Sequence, residues 1–132
     1  MARYLVDSNA FLWAKIKPHL LRPQARQEIE DGRNVLFVSL ASLWELSNKA
    51  SAGRLKEYDS LFAADLKRSL DESNFALLPI ELRHVMATAR LPHHHSDPFD
   101  RMLIAQAQLE GLTLISSDDV FRRYQSLMFL RA

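Results

Sequence analysis

The chain has 132 residues, of which 48% are hydrophobic, and we expect one compact domain over residues 1–132. Its 17 basic and 16 acidic residues nearly cancel, so the net charge neither requires nor excludes a nucleic-acid partner. The absence of cysteine excludes disulfide scaffolds, thiolate zinc sites and cysteine nucleophiles. With no secretory signal and no run of about 20 apolar residues, the sequence predicts a cytoplasmic protein and no membrane partner.

Short apolar runs alternate with helical patterns along the chain. The runs predict buried strands over 4–6, 35–38, 75–80, 112–115 and 128–130. The patterns between them predict helices over 23–31, from Ser39 past Lys49, and over 60–72, 81–90, 98–110 and 120–124. Apolar strands that alternate with helices indicate an α/β fold whose parallel sheet is covered on both faces.

Other residues mark helix ends and core positions. Gly32, Gly53 and Gly111 each follow a helical pattern, where glycine favours a left-handed C-terminal cap. Trp44 lies between the apolar residues of its helix and is predicted to be in the core. The stretch 11–13 is predicted to lie in the core or in a dimer contact.

Each of five acidic residues has an ordinary structural explanation. Asp7 follows the first strand, where it or Ser8 would cap the next helix. Asp97 precedes Pro98, a typical first helical residue, and Asp100 stands three positions further on, as in a capping box. Two more acids fit the same local roles: Asp118 as the cap of the helix over 120–124, and Glu45 as the i,i+4 partner of Lys49.

The placement of these acids favours a shared site instead. Ligands of an open parallel sheet bind beyond the carboxyl ends of its strands, and Asp7 and Asp118 follow two such ends. Glu45 lies on the helix after a third strand, and Asp100 opens a helix that can point to the same place. Converging carboxylates repel one another unless a cation lies between them, and Mg²⁺ or Mn²⁺ favours such oxygen ligands. The sequence therefore best supports phosphodiester hydrolysis by a metal-activated water.

Basic and histidine residues near these acids have open roles. Three consecutive histidines, 93–95, are poorly spaced to share one ion, and we interpret them as a solvated loop. Arg101 is predicted to contact phosphate, to stabilise a neighbouring acid or to form a surface ion pair. Lys49 is predicted to lend the site positive charge. Basic pairs such as Arg54 and Lys56 would attract an RNA backbone if they lie at the rim of the site.

Four spaced motifs resemble those of PIN-domain ribonucleases, most closely the VapC toxins of bacterial toxin–antitoxin pairs. The first is the aspartate after strand one in "YLVDSNAFLW", with Ser8 at the position of a family Thr or Ser. The second is S-x-W-E-[IL]-x-x-K, matched from Ser42 to Lys49. The third is H-x-D-P-F-D-R-[ML]-[LI]-[IA]-A-Q-A, matched from His95 to Ala107. The fourth is T-x-D, which here is Ser116-Ser117-Asp118.

The resemblance implies a three-layer α/β/α sandwich and a metal-dependent endoribonuclease. It implies that Mg²⁺ or Mn²⁺ is bound by Asp7, Glu45, Asp100 and Asp118, with Asp97 as a fifth ligand or only a helix cap. Ser116 replaces the motif threonine and keeps its hydroxyl. The resemblance further implies an RNA substrate, a homodimer, and an antitoxin that covers the acidic pocket.

Two other functional classes compete with this interpretation. A catalytically silent PIN domain would serve as a binding module, although the presence of all four acids argues against it. A phosphatase or phosphoacceptor domain also places an aspartate after strand one. Haloacid-dehalogenase-like phosphatases use D-x-D there, whereas this chain has Asp7-Ser8-Asn9 and lacks the second acid.

Overall fold

The computed structural model describes residues 1–58 and 66–132, and these contain a five-stranded sheet. The strands are β1 (Arg3–Val6), β2 (Val35–Ser39), β3 (Phe75–Leu78), β4 (Thr113–Ser116) and β5 (Phe129–Arg131). All four strand pairings are parallel, in the order β3-β2-β1-β4-β5. The predicted α/β fold with a parallel sheet is confirmed.

The connections between strands are helical. The α-helices are α1 (Ser8–Ile16), α2 (Pro23–Glu30), α3 (Leu40–Ser51), α4 (Leu66–Asp71), α5 (Leu82–Thr88) and α6 (Pro98–Glu110). Short 3-10 helices span Pro18–Leu20, Lys56–Tyr58 and Asp119–Arg123. The first part of the helix predicted over 60–72, up to residue 65, lies outside the described residues. Across 1–58 and 66–132, no helix is both long and apolar enough to cross a membrane.

Helices cover the sheet on both faces because side chains alternate along each strand. On β1, Tyr4 and Val6 pack in one core cluster with α1, α2 and α3, whereas Leu5 packs in a second cluster with α6. Leu5 and Val6 are both fully buried. This alternation places the sheet between two helical layers, and the predicted three-layer sandwich is confirmed.

Strand order reverses beside β1, and this reversal positions the site. The chain moves from β1 outward through β2 to β3 and then returns to place β4 on the other side of β1. Val6 pairs with Val38 on one side and with Ile115 on the other, so the three strands end at the same level. The loops after β1 and β4 therefore separate and leave a crevice at the carboxyl edge of the sheet.

Two of the three predicted glycine caps have the left-handed conformation. Gly53 has φ +72° and Gly111 has φ +66°, and Gly111 caps α6. The prediction for Gly32 is wrong, because its φ is not positive. The preceding helix, α2, is capped by Asp31, which has an extended backbone. The chain has therefore left the helix before Gly32.

Gly111→Ala should lower the free energy of unfolding by about 1 kcal/mol, because an L side chain is strained at this φ. An added Cβ would meet no atom within 4 Å, so the loss reports the backbone conformation alone. Gly32→Ala is the matched control: it also has open space but no positive φ, and its stability should stay equal or rise slightly. Urea unfolding of both variants measures the difference, and equal effects would contradict this account.

Candidate active site

Five carboxylates meet in one cleft at the carboxyl edge of the sheet. The cleft has a volume of about 170 Å³. It is lined by Asp7, Ser8, Asn9, Glu45, Lys49, Asp97, Asp100, Ser117 and Asp118. The structure thus brings together all five acids singled out in the sequence, although they come from four separate segments of the chain.

Asp7 is the most deeply buried of these acids, with 7% of its surface exposed. It is the N-cap of α1, and its Oδ1 accepts a hydrogen bond of 2.9 Å from the Ala10 amide. Burial raises the pKa of Asp7 to about 6, and the charges of Asp100 and Glu45 add to this effect. Hydrogen bonds from Ser116 and Ala10 act in the opposite direction. Asp7 therefore binds a proton readily when no cation is near.

Glu45 is held in the cleft by partners on two sides. The Ser8 hydroxyl donates to Glu45 Oε1 at 2.5 Å, and Lys49 Nζ lies 3.8 Å from Oε2, one helical turn further along α3. Ser39 caps this helix through its hydroxyl, which accepts from the Ala41 amide. The predicted pairing of Glu45 with Lys49 is confirmed, and it occurs inside the cleft.

The start of α6 contributes two carboxylates and a histidine. Asp97 caps the helix by accepting from the Phe99 amide at 2.8 Å and from the Asp100 amide at 3.3 Å. His95 Nε2 lies 2.7 Å from Asp100 Oδ2. Burial raises the pKa of Asp100 to about 6, with a further contribution from the charge of Asp97, while the His95 hydrogen bond opposes the shift. The predicted solvated loop is confirmed for the exposed His93 and His94 but wrong for His95, which is half-buried against Asp100.

Asp118 and Ser116 complete the cleft from the end of β4. Asp118 caps the 3-10 helix by accepting from the Val120 amide at 3.0 Å, and its own amide donates to the Ser116 hydroxyl at 3.1 Å. Ser116 is fully buried, and its hydroxyl also lowers the pKa of Asp7. One hydroxyl therefore orients the backbone before Asp118 and favours the ionised form of the carboxyl that follows β1.

The donor set fits a hard divalent cation. His95, Asp97 and Asp100 each offer a ligand atom, and these atoms all lie within 4.8 Å of one another. The four predicted ligands, Asp7, Glu45, Asp100 and Asp118, line the same cleft without all lying that close together. Carboxylate oxygens with one nearby lysine are suited to Mg²⁺ or Mn²⁺.

Comparison with protein families identifies the fold. A family model for the PIN domain matches residues 4–127. The chain belongs to the PIN domain family. The resemblance drawn from the sequence motifs is thereby confirmed at the level of the family. No curated protein gives a significant match.

Three solved structures with a similar fold are those of VapBC or toxin–antitoxin complexes. VapBC2 from Rickettsia felis, bound to a promoter DNA fragment, gives a TM-score of 0.72 at 19% identity, with 98% of each chain covered. DNA-bound VapBC from Salmonella typhimurium gives 0.64 at 16% identity, covering 99% of this chain and 98% of that one. A toxin–antitoxin complex from Klebsiella pneumoniae gives 0.60 at 19% identity, with 95% of each covered. At these identities the likeness establishes the PIN fold.

Arg101 of the PIN domain anchors the loop that precedes α6. Its guanidinium donates to the backbone carbonyls of Thr88 at 2.7 Å and Pro92 at 3.0 Å. It also donates to the carbonyls of Leu91 at 3.4 Å and His95 at 3.3 Å. Arg101 therefore orders the loop that presents His95 to Asp100, in place of the predicted phosphate contact or surface ion pair.

Arg101→Lys should lower the free energy of unfolding by about 1–2 kcal/mol, because an ammonium group cannot span the carbonyls that the planar guanidinium reaches. Amide hydrogen exchange should accelerate in residues 91–96 before it does in the sheet. Arg90→Lys, at an exposed neighbouring arginine, is the control and should leave both measurements unchanged. Unaltered exchange in Arg101→Lys would show that the loop is held by other contacts.

Two features of this PIN domain were missed in the sequence. Trp44 was predicted in the core, but 61% of its surface is exposed, and its ring meets that of Phe99 edge to face at 5.2 Å. Away from the cleft, the buried His84 lies 3.0 Å from Glu110 and 3.9 Å from Glu81. Arg83 pairs with both of these acids. No sequence signal connects His84 to Glu110, since their contact arises only when α5 packs on α6.

Proposed function

We propose that this PIN domain is a metal-dependent endoribonuclease that acts as the toxin of a toxin–antitoxin pair. The observation that carries the proposal is the convergence of five carboxylates where strand order reverses. Carboxylates held this close repel one another, and such clusters are typical of sites that bind a cation or carry out reaction chemistry. The likeness to toxin–antitoxin structures supports the toxin assignment.

Four carboxylates are proposed to hold Mg²⁺ or Mn²⁺: Asp7, Glu45, Asp100 and Asp118. Asp97 is primarily a helix cap and lies close enough to His95 and Asp100 to serve as a fifth ligand. A divalent ion bound there supplies a Lewis acid that acidifies water and neutralises charge on the scissile phosphate. The choice of RNA as substrate follows from the family resemblance.

Side chains around these acids fix their orientation. The Ser8 hydroxyl holds Glu45 and the Ala10 amide holds Asp7, so both carboxylates have a fixed orientation in the cleft. Lys49 offsets part of the negative charge beside Glu45. Such preorganisation matters because ligand orientation governs metal affinity as strongly as ligand identity does.

The acidic cleft also suggests how the enzyme is restrained. An antitoxin segment that inserts a basic side chain among the carboxylates would compensate their charge and exclude RNA at once. We propose such an antitoxin as the partner, a homodimer as the toxin's assembly, and the cytoplasm as its location. Co-expression with the gene product encoded beside it, followed by co-purification, tests the partner.

Asp118→Asn should reduce cleavage of single-stranded RNA by at least about 100-fold, because it removes a charged metal ligand. Asp119→Asn is the matched control, since the adjacent Asp119 pairs with Arg122 and Arg131 and does not line the cleft. Activity is measured with Mg²⁺ or Mn²⁺ and again after EDTA, and the fold is checked by circular dichroism. Equal activity of the two folded variants, or full activity in EDTA, would overturn the proposed function. A folded protein that binds no metal and leaves RNA intact would favour a silent binding module.

A further inference from the structure

Two further depressions continue the acidic cleft along α3 and the start of α6. The first, the polar groove, has a volume of about 440 Å³ and shares Glu45, Lys49 and Asp97 with the cleft. It adds, among others, Asn48, Arg54 and Phe99. The second, the aromatic pocket, has a volume of about 250 Å³, shares Pro98 and Phe99 with the groove, and adds Ala41, Trp44 and Met102 among others. The three depressions form one continuous path over the surface.

Arg54 supplies an available cation on this path. The residue is exposed, and within residues 1–58 and 66–132 its guanidinium has no hydrogen-bond or ion-pair partner. Most other arginines near acids are paired, as Arg33 is with Asp31. A guanidinium with free donors beside a cleft suited to a phosphodiester is positioned for the next phosphate of the same strand.

The aromatic pocket supplies an open ring. An edge-to-face contact covers at most one face of either partner, so Trp44, with 61% of its surface exposed, keeps an indole face free. Phe99 holds the indole from one side and itself lines the polar groove. An exposed aromatic ring near an available cation is a typical platform for unpaired bases.

We propose that this path is a substrate subsite for single-stranded RNA: Arg54 binds the phosphate adjacent to the scissile one, and Trp44 stacks on the base that follows. The subsite rests on the proposed function. It gives the nuclease a preference for unpaired strands, because a base within a duplex is not free to reach the aromatic pocket. Trp44 and Arg54 are thus binding residues that act outside the metal centre.

The path favours a nucleic acid over a second copy of the chain for two reasons. It is continuous with the cleft in which the scissile phosphate is proposed to lie. It also joins a cation to an aromatic surface, which matches the alternation of phosphate and base along a strand. A second copy of the chain on the apolar pocket would require no contact with Arg54.

The first test measures binding without cleavage. A fluorescein-labelled RNA of about 12 unpaired nucleotides is titrated with the protein in Ca²⁺, and anisotropy reports the dissociation constant. Arg54→Ala and Trp44→Ala should each weaken binding roughly tenfold. Arg54→Ala should also reduce the salt dependence of log Kd by about one unit of slope, which Trp44→Ala should not. The controls are Arg22→Ala and Leu82→Ala, two exposed residues that line none of the three depressions.

The second test observes the ring directly. Trp13→Phe leaves Trp44 as the single tryptophan, since the chain has two. Stacking of an unlabelled RNA base should quench and shift its emission, with a midpoint that matches the anisotropy titration. Duplex RNA of the same sequence should leave the emission unchanged at equal concentration. Thermal unfolding of each variant establishes that it is folded before binding is compared.

The outcomes separate the subsite from the nuclease. If the wild type cleaves and binds RNA, but Arg54→Ala and Trp44→Ala bind as it does, the subsite is overturned and the proposed function stands. If Trp44→Ala instead converts an oligomer into a monomer by light scattering, with RNA affinity intact, the pocket is a protein interface and the proposal is overturned. A wild type that neither binds nor cleaves RNA contradicts the proposed function itself.

Discussion

Asp7→Asn should stabilise the metal-free protein at pH 7.5 while removing its response to Mg²⁺ or Mn²⁺. Burial raises the pKa of Asp7 from the usual 3.8 of an aspartate to about 6, so its ionised form is disfavoured in the fold. That difference corresponds to about 2–3 kcal/mol at neutral pH. Asparagine retains an oxygen that accepts from the Ala10 amide, so the cap of α1 persists without the buried charge.

The pH dependence of this gain follows from the direction of the pKa shift. The folded protein holds the Asp7 proton more tightly than the unfolded chain does, so ionisation costs stability as pH rises from about 4 to about 6 and adds no further cost above that. The advantage of Asp7→Asn should therefore be full at pH 7.5 and vanish near pH 4. Urea unfolding in EDTA at both pH values measures it. A variant less stable than the wild type at pH 7.5 would contradict the account.

Asp7→Ala provides a matched comparison. It removes the buried charge but also the cap hydrogen bond, which is worth about 1 kcal/mol, so its gain should be smaller than that of Asp7→Asn. Both variants should lose the increase in melting temperature that Mn²⁺ gives the wild type. Retention of that increase would show that Asp7 is not a ligand.

The affinity of the wild type for the metal ion should fall about 100-fold between pH 7.5 and pH 5, because protons compete with the ion for two of the carboxylates. The pKa values of Asp7 and Asp100 are both raised to about 6, so each carboxyl is mostly protonated at pH 5 and mostly ionised at pH 7.5. Each protonation costs about tenfold in affinity at pH 5. Isothermal titration with Mn²⁺ at both pH values measures the change.

Proton release provides an independent check of the same linkage. Metal binding should displace between one and two protons at pH 5 and close to none at pH 7.5. Isothermal titrations in buffers of different ionisation enthalpy measure the number of protons released. Asp100→Asn should release about one proton fewer at pH 5, since Asp7 alone remains to titrate. Affinity that does not change with pH would contradict the involvement of these two carboxyls.

Local sequence signals predicted the fold well where they were strong. Asp97, Pro98 and Gly111 are a cap, a first-turn proline and a left-handed terminator, and α6 spans Pro98–Glu110 as predicted. The buried strands were short apolar runs with polar ends, and their positions agree to within two residues. The convergence of the acids was predictable because parallel strands end at a common edge.

Contacts that depend on packing could not be predicted. Trp44 lies between Leu43 and Leu46 in sequence, but adjacent helical positions point about 100° apart, so these two leucines face the core while the indole does not. The approach of His95 to Asp100 requires the loop conformation that Arg101 holds through backbone carbonyls. Backbone hydrogen bonds of this kind leave no residue pattern in a sequence.

The pairing of β1 with β4 determines when the acidic cleft is complete during folding. Val6 and its partner Ile115 are far apart in the chain, so their contact closes a long loop, and contacts of this kind form slowly. Until they meet, Asp7 and Glu45 have no Asp118 opposite them. A partly folded chain therefore lacks the full set of acids, and any activity that depends on the cleft requires the native sheet.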